Sequence, residues 1–147
     1  MSNITIFTER LAELMSDKEI PHGLELSNMI GYSAPGVSIW KGGKSLPSLQ
    51  NAVKLADIFE CTLDFIFGRS DNTEIRFAPQ PLPNFHSRLV SILDTRNLSW
   101  YKVSKDTKIS KSNYQDWRDG REPLIPTLIV LADYLSVSLD YLVGREQ

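Results

Sequence analysis

Two segments of the chain end alike: Thr62-Leu-Asp-Phe-Ile-Phe-Gly-Arg69 and Ser138-Leu-Asp-Tyr-Leu-Val-Gly-Arg145. The likeness extends well upstream. Phe7, Arg10 and Leu11 match Phe85, Arg88 and Leu89 at an offset of 78, and Trp40 and Gly43 match Trp117 and Gly120 at 77. Pro47, Leu55-Ala56-Asp57, Leu63-Asp64 and Gly68-Arg69 find their partners at 76. The offset falls by one residue twice, as single deletions in the second copy would produce. The chain is therefore read as one unit written twice, at 1–70 and 84–147. Each copy has about 65 residues, near the lower limit for a domain that folds without staples.

Between the copies lies 71–83, with prolines at 79, 81 and 83. Alternate prolines favour polyproline II and exclude a helix. A semi-rigid, Pro-rich linker is expected, up to roughly 40 Å long if fully extended at about 3.1 Å per residue.

Periodicity within each copy is helical. In the second, Phe85, Leu89, Ile92 and Leu93 form an amphipathic stripe, with Asn84 as N-cap. Ser99 is placed to cap a second helix running to about Asp106, and Ser110 a third running to about Arg118, stopped by Asp119-Gly120. Pro126 suits the first turn of a fourth helix with Leu128, Ile129, Leu131, Ala132 and Leu135 inward. Ser138 caps a last turn that Gly144 closes. The first copy follows suit: Phe7, Leu11, Leu14 and Met15; about 23–30; Ser33 to Lys41; Leu49, Val53, Ala56 and Phe59; Thr62 to Phe67. Only a weak strand at Ile75–Phe77 competes. The expected class is all-α, with five short helices per copy.

The stretch Leu98-Ser-Trp-Tyr-Lys-Val-Ser-Lys-Asp-Thr-Lys-Ile-Ser-Lys-Ser-Asn-Tyr-Gln-Asp-Trp117 resembles the helix-turn-helix of the Cro/cI-type (XRE-like) repressors. The Arg-Asp-Gly-Arg-Glu-Pro that follows, the Leu-Ala-Asp helix and the Leu-Asp-Tyr-Leu ending resemble the rest of that family's five-helix, lambda-repressor-like unit. The resemblance covers both copies. It implies sequence-specific binding of double-stranded DNA and transcriptional control in prokaryotic or phage settings. It also implies pairing of units on two half-sites, as a homodimer or, here, a single-chain pseudo-dimer. Fold alone does not carry function, so the residues must.

In this docking mode the third helix offers its N-terminal residues to base edges. With Tyr114 and Trp117 inward, Ser112, Gln115 and Asp116 face away from the core, and Lys111 and Asn113 flank them. Lys111 can address guanine, Asn113 adenine and Asp116 a cytosine amino group. The resemblance assigns base reading to Lys111, Ser112 and Asp116. Residues 96–121 hold seven basic groups (Arg96, Lys102, Lys105, Lys108, Lys111, Arg118, Arg121) against three acids (Asp106, Asp116, Asp119). Lys102, Lys105, Lys108, Arg118 and Arg121 are the phosphate-contact candidates. Trp100 departs from the family, which commonly has a polar, phosphate-touching residue there.

The first copy has Ala34, Pro35 and Ile39 where the second has Lys111, Ser112 and Asp116. Gly36 should weaken its third helix by about 1 kcal/mol relative to Ala. Its window 19–44 balances Lys41 and Lys44 against Glu19 and Glu25. Lys41 and Lys44 remain phosphate-contact candidates, while Pro35 and Ile39 are candidates for contact with protein. The second copy is thus expected to be the main base reader. The alternative is an interaction module, for dimerisation or antirepression, with weak or no DNA binding.

Charge fits this division. The chain carries 16 Lys+Arg and 18 Asp+Glu, too few cations to coat nucleic acid indiscriminately. Residues 1–70 have six basic and eight acidic groups; residues 84–147 have nine and eight. A single cysteine, Cys61, excludes an internal disulfide, and aligned with Val137 it reads as a packed thiol. His22 and His86 show no metal-ligand spacing, so no metal or other cofactor is expected. Gly42-Gly-Lys-Ser45 has Ser38 where a phosphate-binding loop needs its first glycine, and it follows a helix instead of a strand. No acid/base pair or nucleophile triad stands at fixed spacing, and no enzyme activity is expected. With no signal-peptide pattern at the start and no apolar run near ~20 residues, a cytoplasmic location is expected.

Overall fold

The computed structural model describes residues 2–147, and it is all-helical. Two compact units divide the chain, one ending at Arg76 and the other running from Phe77 to Gln147. The first holds α1 (Asn3–Asp17), α2 (Gly23–Ile30), α3 (Ala34–Lys41), α4 (Leu49–Ile58) and α5 (Leu63–Ile66). The second holds α6 (Phe85–Thr95), α7 (Trp100–Thr107), α8 (Ser112–Arg118), α9 (Ile125–Leu135) and α10 (Leu139–Val143). No strand forms at Ile75–Phe77 or elsewhere among the described residues.

Local chemistry sets the helix starts. Side-chain oxygens of Asn84, Ser99 and Ser138 accept from the backbone N–H groups of Ser87, Lys102 and Tyr141. Ser33, Ser48 and Thr62 do the same in the first unit. Ser110 differs by one residue from expectation. Regular helix begins at Ser112 after Lys111, and the Ser110 hydroxyl accepts from the Ser112 N–H at 3.4 Å. The first turn of α8 is tighter than an α-turn, with the Asn113 N–H on the Ser110 carbonyl.

The backbone repeats as the sequence does. Ten described residues have positive φ, and they form five pairs at the sequence offsets: Glu19 with Asn97, Gly31 with Lys108, Gly43 with Gly120, Glu60 with Ser136, and Gly68 with Gly144. In both units the first helix packs on the third and fifth, the second on the fourth, and the fourth on the fifth. The cores correspond: Phe7 meets Trp40 edge-on, as Phe85 meets Trp117, and both indoles are buried.

The shared ending closes each unit. Arg69 binds Asp64 at 2.6 Å in the first, and Arg145 binds Asp140 at 2.7 Å in the second. Above these, Arg10 lies over the Phe65 ring and Arg88 over the Tyr141 ring. Arg88 also donates to the carbonyls of Tyr141 and Glu146. Gly144 must be glycine twice over: its φ is +88°, and a Cβ there would come within 2.6 Å of Pro83.

The Pro-rich segment is shared between the units. Asp71 accepts from Arg10 in the first. In the second, the Phe77 ring faces Arg145 and the Gln80 amide donates to the Gly144 carbonyl.

Candidate nucleic-acid interface

In the second unit, α7 and α8 are joined by a turn that depends on Lys108, which takes the left-handed conformation at φ +68° and sends its N–H to the Ser104 carbonyl. The Ser104 hydroxyl donates to the Ile109 carbonyl, closing the turn from inside. Trp100 then ties the two helices together. Its ring stacks on Tyr114 at 4.9 Å and meets Trp117 edge-on, and its Nε1–H donates to the Lys111 carbonyl at 3.3 Å. Trp100 is thus a wedge between the two helices. Burial pushes the Tyr114 hydroxyl above its ordinary pKa.

The structure sorts the cations of residues 96–121. Each of the three acids has a basic partner: Asp106 with Lys102 at 3.2 Å, Asp119 with Arg118 at 3.9 Å and Asp116 with Arg121 at 4.0 Å. Arg96 donates to the Leu135 carbonyl. The remainder are Lys105, Lys108 and Lys111, all exposed, running from the end of α7 through the turn to the start of α8. Lys105 and Lys108 make no ion pair with any of the described residues; Lys111 holds its ammonium 4.3 Å from the Tyr101 ring centroid.

The base-contact candidates divide similarly. Lys111, Ser112 and Gln115 are exposed, whereas Asn113 and Asp116 are half-buried. Ser112 and Ser110 share a hydroxyl–hydroxyl hydrogen bond at 2.9 Å. Asp116 faces Arg121 at 4.0 Å.

Behind α7, Asp106 accepts from the Tyr134 hydroxyl of α9 at 2.6 Å. That hydrogen bond, then the one from Lys102, holds the Asp106 carboxyl below its usual range, and the same bond raises Tyr134.

The first unit presents a different surface. Pro35 and Ile39 are exposed on α3, and Lys41 and Lys44 are exposed at and beyond its end. Sequence reasoning missed three neighbours: Leu24, Met29 and Tyr32, which are 62%, 50% and 43% exposed. With Ile39 they are all the exposed large hydrophobic residues among the described residues of that unit, and all lie on α2, α3 and the turn between them. The Tyr32 ring lies parallel to Trp40 at 5.1 Å and covers Gly36. Tyr101 was missed as well; it stands at the position equivalent to Leu24 and is 60% exposed.

No group of His, Cys, Asp and Glu among the described residues is arranged to hold a metal, and no described helix is long and apolar enough to cross a membrane. In comparisons with protein-family models, with curated proteins and with solved structures, nothing matches this chain.

Proposed function

We propose that the protein is a cytoplasmic, non-catalytic DNA-binding regulator of the prokaryotic or phage repressor type, built from two tandem helix-turn-helix domains of the Cro/cI kind joined by the Pro-rich segment. The second domain is the main base reader. One observation carries this reading: three exposed cations, Lys105, Lys108 and Lys111, line the second domain's α7, turn and α8, where a duplex would lie. Lys105 and Lys108 neutralise phosphates, Lys111 addresses a base edge, and Ser112 and Gln115 complete the polar face. Two such domains meet successive half-sites either within one chain or in a homodimer.

The test is binding of the intact chain to a genomic fragment library at two salt concentrations. A motif should be enriched, and Lys111→Ala should cost about 1–3 kcal/mol of discrimination at one base pair. Lys105→Ala and Lys108→Ala should weaken binding to all sequences alike, each lowering the salt slope by about 0.9. Absence of selective binding at low salt would overturn the reading.

A second reading applies to the first domain. Leu24, Met29, Tyr32 and Ile39 give its corresponding face an apolar character, which favours contact with protein over DNA.

A further inference from the structure

We infer that Tyr101 is a positioning residue: its ring holds the Lys111 ammonium where a base edge will meet it. The inference rests on the DNA-reading role proposed for the second domain. Three observations support it. Lys111 is gripped twice by consecutive residues of α7, its carbonyl by the Trp100 Nε1–H and its ammonium by the Tyr101 ring at 4.3 Å. A lysine side chain is otherwise a long, mobile stem, and nothing on α8 restrains this one: Lys111 precedes the first helical residue and makes no side-chain capping bond. Tyr101 itself has little structural work, being 60% exposed, with no hydrogen bond from its hydroxyl to any of the described residues.

The arrangement is specific to this domain. Leu24 and Ala34 occupy the equivalent positions in the first, so neither a ring nor a cation is present there. Holding the ammonium before DNA arrives lowers the ordering cost of binding, the way preorganised contacts gain affinity. The lysine keeps its cation–π partner while its N–H groups remain available to guanine acceptors.

Two measurements test this on the intact chain. In the free protein, the Lys111 ε-methylene protons should be shifted upfield by the ring current in wild type and in Tyr101→Phe, and not in Tyr101→Ala. Against the motif enriched by the wild-type chain, Tyr101→Ala should weaken binding about two- to fivefold, the range of an exposed cation–π contact. Binding to random duplex should be unchanged, Tyr101→Phe should retain wild-type affinity, and Tyr101→Ala should have no effect in a Lys111→Ala background. Circular dichroism should report an unaltered fold for both Tyr101 variants.

Loss of affinity in Tyr101→Phe would overturn the inference, because it would make the hydroxyl a direct DNA contact. So would equal loss on random duplex, unchanged or tighter motif binding by Tyr101→Ala, or an unshifted Lys111 in wild type. Each of these leaves the DNA-reading role standing. A wild-type chain without any selective binding overturns both together.

Discussion

The two units close their last helices with the same residues and open their third helices with different ones. Arg10, Asp64, Gly68 and Arg69 recur as Arg88, Asp140, Gly144 and Arg145, and all eight serve the ending of their own unit. Ala34, which is half-buried, and the exposed Pro35 and Ile39 stand where the second unit has Lys111, Ser112 and Asp116. What is held constant between the copies is the framework; what varies is the outer face of the second and third helices. A search for function among the repeated residues would therefore have found only architecture, and four of the chain's arginines belong to it.

The framework is not equally buried in the two copies, and that gives the largest expected effect. The Arg145–Asp140 side chains are 1% and 3% exposed; Arg69 and Asp64 are 18% and 15%. Arg145→Met removes the guanidinium from beside a buried carboxylate and should cost the second unit about 3–5 kcal/mol. Arg69→Met leaves Asp64 some access to water and should cost the first about 1–3 kcal/mol. Hydrogen exchange resolved by unit in the intact chain reads both. Equal losses would show that burial does not distinguish the two endings.

A smaller difference lies in the turn before the third helix. Gly31 and Lys108 share a left-handed backbone, φ +70° and +68°, natural for glycine and strained for lysine. A Cβ on Gly31 would meet nothing within 4 Å, so its cost is conformational alone. Gly31→Ala should destabilise the first unit by about 1 kcal/mol, and Lys108→Gly should stabilise the second by up to about 1 kcal/mol. If Lys108 contacts phosphate, Lys108→Gly also weakens DNA binding while raising the melting temperature. A Lys108→Gly variant with unchanged melting temperature and unchanged DNA binding would show that Lys108 carries neither backbone strain nor a phosphate contact.

The units should also differ in their response to pH. Asp106 and Tyr134 hold each other in the second unit, where the first has Met29 and Ile58. Because the Asp106 carboxyl lies below its ordinary value, its contribution is present above about pH 4 and is lost as pH falls through the lower, folded value. Tyr134 is raised, so at the alkaline end its contribution is full below about pH 10 and is lost as pH rises through the folded value. The stability difference between wild type and Tyr134→Phe should therefore be present at neutral pH and vanish in strong acid. A difference that persisted in acid would place the role of Tyr134 in packing.

Much of this architecture was legible in the sequence, because helix capping and the 3.6-residue period are local. The stripe of Phe85, Leu89, Ile92 and Leu93 and the caps at Ser99 and Ser138 needed no tertiary knowledge. Of the candidate interface, the charge surplus was legible as a count of cations. Which cations remain after pairing was not, since Arg121 reaches back to Asp116 and Arg96 crosses to Leu135 only in three dimensions. The exposed aromatic and aliphatic residues were hidden for a related reason. Leu24 and Tyr101 fall at positions of an amphipathic helix where the pattern alone assigns neither side, and only packing shows that both face outward.

Gly36 gives the smallest expected effect and the most direct test of how the first unit's face is built. Helix propensity alone makes Gly36→Ala stabilising by about 1 kcal/mol. In the folded unit, however, a Cβ at this position would lie 2.1 Å from Cε2 of Tyr32, so the ring must leave. Its departure forfeits the parallel stack on Trp40, worth about 0.5–1.5 kcal/mol. The two terms offset, and Gly36→Ala should change stability by no more than about 0.5 kcal/mol while altering Trp40 fluorescence. Asn113→Ala, at the equivalent position in the second unit, displaces no ring and should stabilise by a few tenths of a kcal/mol. A full 1 kcal/mol gain in Gly36→Ala with unchanged Trp40 emission would mean that Tyr32 does not rest on the helix. The apolar face would then lack the ring that joins its turn to α3.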